Sequence, residues 1–259
     1  MMYTQGTTPY ELKPLIPDLN GQPLQVPPQR PKTDEEIKAF LRNYDVIALG
    51  DESTSMGWAI DESGDYTGWD QLREVMAKVV KVAMCYDHNG VELAFFGSTV
   101  EWLPKKVETN DDVKRAFNKK PRGGTNLSDA LQQAFNRHLE HRKKKEAKGL
   151  KQKTIILIFT DGEPDNKARL LEVIRKFNEE ELRSDDIFDY LNPDGTKVKK
   201  TLELGMRFFQ VGNDKDAKAF LQELDDHPPS KVDNIDTGIL DDLKSDKDVR
   251  KAFVDAIWD

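Results

Sequence analysis

Five short oxygen-bearing side chains stand out first. Asp51, Ser53 and Ser55 occupy alternate positions in YDVIALGDESTSM, Tyr44–Met56. Thr125 follows two glycines, Gly123 and Gly124, in KKPRGGTN, and Asp161 lies in FTDGEPD. Carboxylate and hydroxyl oxygens are hard donors that suit Mg2+, Mn2+ or Ca2+ better than zinc or copper. One D-x-S-x-S alone is a weak signal. Three oxygen-rich loops, each beside a strand or a helix start, make a strong one.

The elements that must position these residues follow from the apolar pattern. Val46-Ile47-Ala48-Leu49 ends in Gly50, a short run suited to a strand buried on both faces. Thr154–Phe159, TIILIF, reads the same way and ends in Thr160-Asp161-Gly162. Thr125 precedes a helix from Ser128 to Arg142 or beyond, with Leu127, Ala130, Leu131, Ala134, Phe135 and Leu139 on one side. In open α/β sheets ligands bind outside the carboxyl ends of the strands, where the oxygen cluster falls.

The rest of the chain fits one such sheet. A capping pattern, Thr33-Asp34-Glu35-Glu36, opens a short helix to Asn43. Thr67–Tyr86 is a helix with Trp69, Leu72, Val75, Met76, Val79, Val80 and Ala83 inward. Val91–Phe96 is a strand and Thr99–Leu103 a short antiparallel return. Thr109–Asn118 and Lys167–Glu181 are helices. Met206–Val211 is a buried strand, Asp214–Leu224 a helix, Val232–Thr237 a weaker final strand, and Leu240–Trp258 a closing helix. Alternating strands and helices predict an α/β, doubly wound, mostly parallel sheet. Residues 1–32 carry many of the 13 prolines and read as an extended arm, with the domain occupying 33–259. Residues 184–200, with the turn signal Asn192-Pro193-Asp194-Gly195, read as an insertion.

Composition excludes several classes. The 259 residues have a net charge of −8, which argues against a general nucleic-acid binder. A single cysteine, Cys85 in a helical pattern, and 4 histidines give no disulfide framework and no zinc spacing. No signal peptide or membrane-length apolar run is present, so a cytoplasmic protein is expected. The basic tail of the long helix (His138, His141, Arg142, Lys143, Lys144, Lys145, Lys148) reads as a solvated helix end that complements the helix dipole, ahead of an anion-binding patch. The chain lacks a G-x-x-x-x-G-K-[ST] loop.

Plain readings exist for each motif singly. Asp51 and Asp161 can cap turns, Ser53 and Ser55 can satisfy backbone donors, and Gly-Gly-Thr can be a helix-entry loop. The acids of the nearby loops, Glu52, Asp61, Glu62, Asp65, Glu163 and Asp165, read as a solvated rim, ahead of a second cation site or a set of charges that repels an acidic partner unless metal is bound. Trp58, in a loop, is a better contact candidate than Trp69.

DESTSM, GGTN and FTDGEPD together resemble the metal-ion-dependent adhesion site of von Willebrand factor A domains. The resemblance covers roughly Asp45 to Trp258. RFFQVGND and the LDD at 224–226 resemble stand-alone microbial and fungal members. It implies a Rossmann-like sheet flanked by helices. It also implies a site in which Ser53, Ser55 and Thr125 contact Mg2+ (or Mn2+ or Ca2+) through hydroxyls. Asp51 and Asp161 would supply charge directly or through water. Glu52 and Thr54 depart from the family's smaller residues and are expected to stiffen or crowd the loop. The implied function is a non-enzymatic, metal-dependent protein-binding domain whose partner donates an Asp or Glu to the ion. An AAA-type ATPase or a stress-response complex is the partner implied. The competing expectation is a Mg2+-dependent phosphate-ester hydrolase. Against it, the D-x-D of aspartyl nucleophiles is absent, since Ser53 stands at its second position.

Overall fold

Apolar runs of four to eight residues, each followed by a helix-period pattern, build a layered α/β domain. The computed structural model describes residues 29–86, 89–191 and 195–258. In chain order the elements are α1 (Asp34–Leu41), β1 (Tyr44–Asp51), α2 (Gly68–Ala83), β2 (Glu92–Phe96), β3 (Val100–Trp102), α3 (Asn110–Ala116) and α4 (Leu127–Glu146). Then come β4 (Lys153–Thr160), α5 (Lys167–Glu180), β5 (Ile187–Leu191), β6 (Lys197–Thr201), β7 (Leu204–Gln210), α6 (Lys215–Asp226), β8 (Ile235–Ile239) and α7 (Asp246–Trp258).

Six strands form one sheet in the order β3-β2-β1-β4-β7-β8, parallel except for the edge strand β3. β1 is buried at every position. Its Val46 and Ala48 face a core with α1, α2, α3 and α7, while Ile47 and Leu49 face a second core with α4, α5 and α6. Two covered faces explain a strand that reads as a continuous apolar run rather than an alternation. From β1 the chain moves outward to β2 and then returns to β4 on the opposite side. The strand order therefore reverses between β1 and β4, the point at which open α/β sheets bind ligands beyond the carboxyl ends of their strands.

The capping signals at Thr33 and Thr67 both form reciprocal capping boxes, with Glu36 and Asp70. Several boundaries differ from expectation. The closing helix begins at Asp246, because Leu240–Asp242 forms a separate 3-10 turn and Ser245 pairs with Asp248 as a start signal. The last strand runs from Ile235, later than expected, because Val232 and Asn234 are engaged by Ser230 and Asn178. Cys85 lies beyond the end of α2 and is exposed.

His138 is not part of a solvated basic tail. It is fully buried on the inward face of α4, between the Thr154 hydroxyl (2.8 Å) and the Glu203 carboxylate (2.9 Å). Position 138 continues the 134–135 stripe by one turn, so helical spacing takes it inside. Arg142 and Lys145 pair with Glu203 and Asp45, which leaves less free charge on this tail than the sequence suggests.

Most of the proline-rich arm lies outside the described residues. At its end, Arg30 pairs with the buried Asp255 of α7. Residues 184–200 hold a 3-10 turn and a two-stranded antiparallel hairpin, β5–β6, separate from the main sheet. Three residues of its expected turn, 192–194, lie outside the described residues. Phe188 and Tyr190 pack against Trp258, so the hairpin covers the end of α7.

Gly205 in β7 shows how closely α7 lies on the sheet. A Cβ there would overlap the Ala256 carbonyl oxygen and Ile257 Cδ1. Backbone cannot yield as a side chain can, so the helix would have to lift. Gly205→Ala is expected to cost about 3 kcal/mol. Urea denaturation checks this, and a loss within about 0.5 kcal/mol would show that α7 is free to shift.

Candidate metal centre

The carboxyl ends of β1 and β4 carry Asp51 and the loop residue Asp161. Because these strands pair directly, Gly50 opposite Phe159, their following loops emerge side by side. Asp51 is fully buried. One of its oxygens accepts the Ser53 backbone N–H (2.7 Å) and the other accepts the Thr160 hydroxyl (2.7 Å). The first bond bends the chain off the strand, and Thr54–Gly57 then forms a 3-10 turn.

This turn brings Ser53 and Ser55 to one face. Their hydroxyls are 3.0 Å apart. Both reach the same Asp161 oxygen, Ser55 at 3.0 Å and Ser53 at 3.5 Å. The capping alternative fails for Ser53, which sits at the N-cap of the 3-10 turn without a side-chain capping bond. Its hydroxyl faces Asp161, 108 residues away in the chain. Asp51 does fulfil the plain role as well, since it holds the turn.

Thr125 is buried, and its loop is tied to both others. Its N–H donates to Asp165 (3.0 Å), and its carbonyl accepts from the Asp165 N–H (3.1 Å). On the other side, the Gly123 carbonyl accepts the Thr54 N–H (3.2 Å), and the Gly123 N–H donates to the Thr54 hydroxyl (3.1 Å). Gly123 has φ +106°, a conformation that needs glycine, and a Cβ there would meet the Ser98 backbone. Among the described residues, the Thr125 hydroxyl forms no hydrogen bond with the other four side chains. The structure thus joins Asp51, Ser53, Ser55 and Asp161 by hydrogen bonds and ties the loop of Thr125 to theirs through Thr54 and Asp165.

Three supporting bonds are visible only in the structure. Thr160 holds Asp51, Thr54 clamps the glycine loop, and Asp165 holds Thr125. Thr160 and Asp165 flank Asp161 in FTDGEPD, which was the available signal. Thr54 binds the Gly123 backbone, which ties the glycine loop to its own loop. Glu52 does not crowd it, because its carboxylate turns to Lys119.

No ion pair to Asp51 or Asp161 occurs among the described residues. Burial raises the Asp51 carboxyl to about 7, the Asp161 charge adds to the rise, and the bonds from Ser53 and Thr160 oppose it. Burial also raises Asp161, with a further push from Asp214, against the bond from Ser55. These are two carboxylates without a cationic side chain, faced by hydroxyls. No trio of His, Cys, Asp or Glu gathers into a metal cluster among the described residues, so a cation here would lean on hydroxyl oxygens.

The raised carboxyl has a stability consequence without metal. Its folded pKa, about 7, exceeds the unfolded value of about 4. The folded state therefore binds the extra proton between these limits. This contribution is fully present below about pH 4 and is lost as pH rises through about 7. Asp51→Asn removes the titration, and its amide can donate to the Thr160 oxygen while Thr160 turns its hydroxyl to the Gly162 carbonyl (3.2 Å). In EDTA at pH 8 the variant is expected to exceed wild type by on the order of 2 kcal/mol, with the gap closing towards pH 4. Denaturant melts across pH check this, and a constant gap would contradict it.

Residues 46–163 match the family model described as von Willebrand factor type A domain. All five residues lie within that stretch. No curated protein sequence matches the chain. Among solved structures, a D319A mutant of the PilB minor pilin from Streptococcus sanguinis is similar at TM-score 0.50 and 14% identity, covering 82% of this chain and 60% of that one. Manganese-loaded Plasmodium vivax TRAP protein matches at TM-score 0.45 and 17% identity, covering 70% and 63%. BatB from Bacteroides thetaiotaomicron, a conserved hypothetical protein, matches at TM-score 0.46 and 15% identity, covering 82% and 96%. The chain thus spans less than two thirds of the length of the pilin and of TRAP. Residues 46–163, which span β1 to β4 of the six-stranded, mostly parallel sheet, thus match a von Willebrand factor type A domain.

Proposed function

We propose that this domain binds a protein partner through a divalent cation held by Ser53, Ser55, Thr125, Asp51 and Asp161. One observation carries the reading. Two hydroxyls and a carboxylate from loops over a hundred residues apart meet at the carboxyl ends of β1 and β4, beside a second carboxylate without a cationic partner. Mg2+ fits this hard, hydroxyl-rich set, and Mn2+ or Ca2+ are the alternatives. Ser53, Ser55 and Thr125 would bind by hydroxyl oxygen. Asp161, half-buried, would lie nearest the ion, and the fully buried Asp51 would act at one remove. Bound cation would supply a directional, charge-assisted contact for a partner's Asp or Glu.

The hydrolase alternative gains no support. No histidine hydrogen-bonds to any of the five residues among the described residues, and the two serine hydroxyls bond to each other and to the Asp161 carboxylate rather than to a base of the histidine kind. An AAA-type ATPase or a stress-response complex is the partner that the family resemblance implies, and we place the protein in the cytoplasm. No helix among the described residues is long and apolar enough to cross a membrane.

Ligand that binds only the folded state raises stability by mass action, by about 2.7 kcal/mol at a hundredfold excess over Kd. Mg2+ or Mn2+ should therefore raise the melting temperature of wild type. Asp161→Ala and Thr125→Ala should lose most of that shift while keeping the far-UV circular dichroism of the wild type. Equal shifts in both variants would remove these residues from the site. Global unfolding of both would assign them a structural role only.

A further inference from the structure

Resting on the proposed metal-dependent reading, we infer that the partner presents its carboxylate within a basic segment that also offers an apolar side chain to Trp58. Trp58 is 67% exposed, and only Leu150 and Ile239 join it as exposed large apolar residues among those described. Its place is fixed rather than incidental. Its N–H donates to the Ser55 carbonyl (2.8 Å), and its own carbonyl accepts the Gly68 N–H (3.4 Å). The backbone carrying the indole is therefore tied directly to a site serine. The neighbouring bridge Ala59–Thr67 closes the loop behind it. A tryptophan held in the open at low entropic cost is a ready interface anchor. Ile239, at the carboxyl end of β8, places a second exposed apolar side chain on the same sheet edge.

Charge selects what can approach. The loops and helix start around the site expose Asp61, Glu62, Asp65, Asp165, Asp214 and Asp216. Against these and the exposed Glu163, seven carboxylates in all, the same segments expose four cations, Lys120, Arg122, Lys215 and Lys218. The whole chain carries −8. A bound divalent ion would be offset by Asp51 and Asp161, so it would not reverse the sign of the rim. A ligand carboxylate entering with acidic neighbours would meet a rim in which like charge predominates. One entering among lysines or arginines would gain on both counts, since the cation takes the acid and the rim takes the basic flanks. The rim thus acts as a filter against acidic partners, and Trp58 as the anchor for the partner admitted.

Matched synthetic peptides test this. Each has one central Asp beside a Leu, flanked in one by lysines and in the other by glutamates. A control replaces the central Asp of the lysine peptide by Asn. Binding is read by fluorescence anisotropy in Mg2+ and in EDTA, with Mg2+ affinity measured separately by calorimetry. The lysine peptide should bind at least about tenfold tighter than the glutamate peptide, and this advantage should shrink with salt. Trp58→Ala should weaken it about tenfold or more, and Trp58→Phe much less, with Mg2+ affinity unchanged in both. Equal Mg2+-dependent affinity for both peptides would overturn the inference and leave the metal-dependent function standing. So would intact Mg2+ binding without capture of the lysine peptide at about 1 mM. Binding that ignores EDTA or the Asn replacement, or the absence of Mg2+ binding, would overturn both.

Discussion

Direct pairing of β1 with β4 is the constraint on which the site depends. It sets two carboxylates at neighbouring strand ends, Asp51 and Asp161, without a cationic side chain to balance them. Buried charge of one sign is costly, and the protein meets that cost with hydrogen bonds. Ser53 N–H and Thr160 serve Asp51, while Ser55 and Ser53 serve Asp161. Of these hydroxyls, those of Ser53 and Ser55 meet at one Asp161 oxygen. The strand order makes this possible, since it reverses between β1 and β4.

The surrounding loops are fastened to one another rather than merely adjacent. Thr54 binds the backbone of Gly123, and Asp165 binds the backbone of Thr125. This gives the three loops a shared rigidity, so a change at one is felt by the others. Gly123 and Gly124 are needed for that closeness, because a Cβ at either would strike Ser98 or Asp165. Preorganisation of this kind lets donor atoms be held before a ligand arrives.

Much of this was legible in the chain. Buried strands announce themselves by short apolar runs, and β1, β2, β4 and β7 fell close to where those runs lie. The Thr33 and Thr67 caps were marked by an acid three residues on, though only the first was recognised. Boundaries failed where side chains outside the element decide them, as with Ser245 and Asp248 at the start of α7, or Ser230 and Asn178 before β8. His138 was misplaced because charge in its neighbourhood masked a position on the buried stripe of α4. The five candidate residues could be grouped because short oxygen side chains recur after two strand ends and before a helix start. Their supports, Thr160, Thr54 and Asp165, were not distinguishable, because a hydrogen bond across loops leaves no period in the sequence.

The most direct test of the account is a crystal of the protein grown with Mn2+, measured for anomalous scattering at the manganese edge. The account expects one strong peak within coordination distance, about 2.2 Å, of the Ser53 and Ser55 hydroxyls, with the Thr125 hydroxyl and Asp161 around it. A peak elsewhere, or a fully ordered site without a peak at saturating Mn2+, would contradict it.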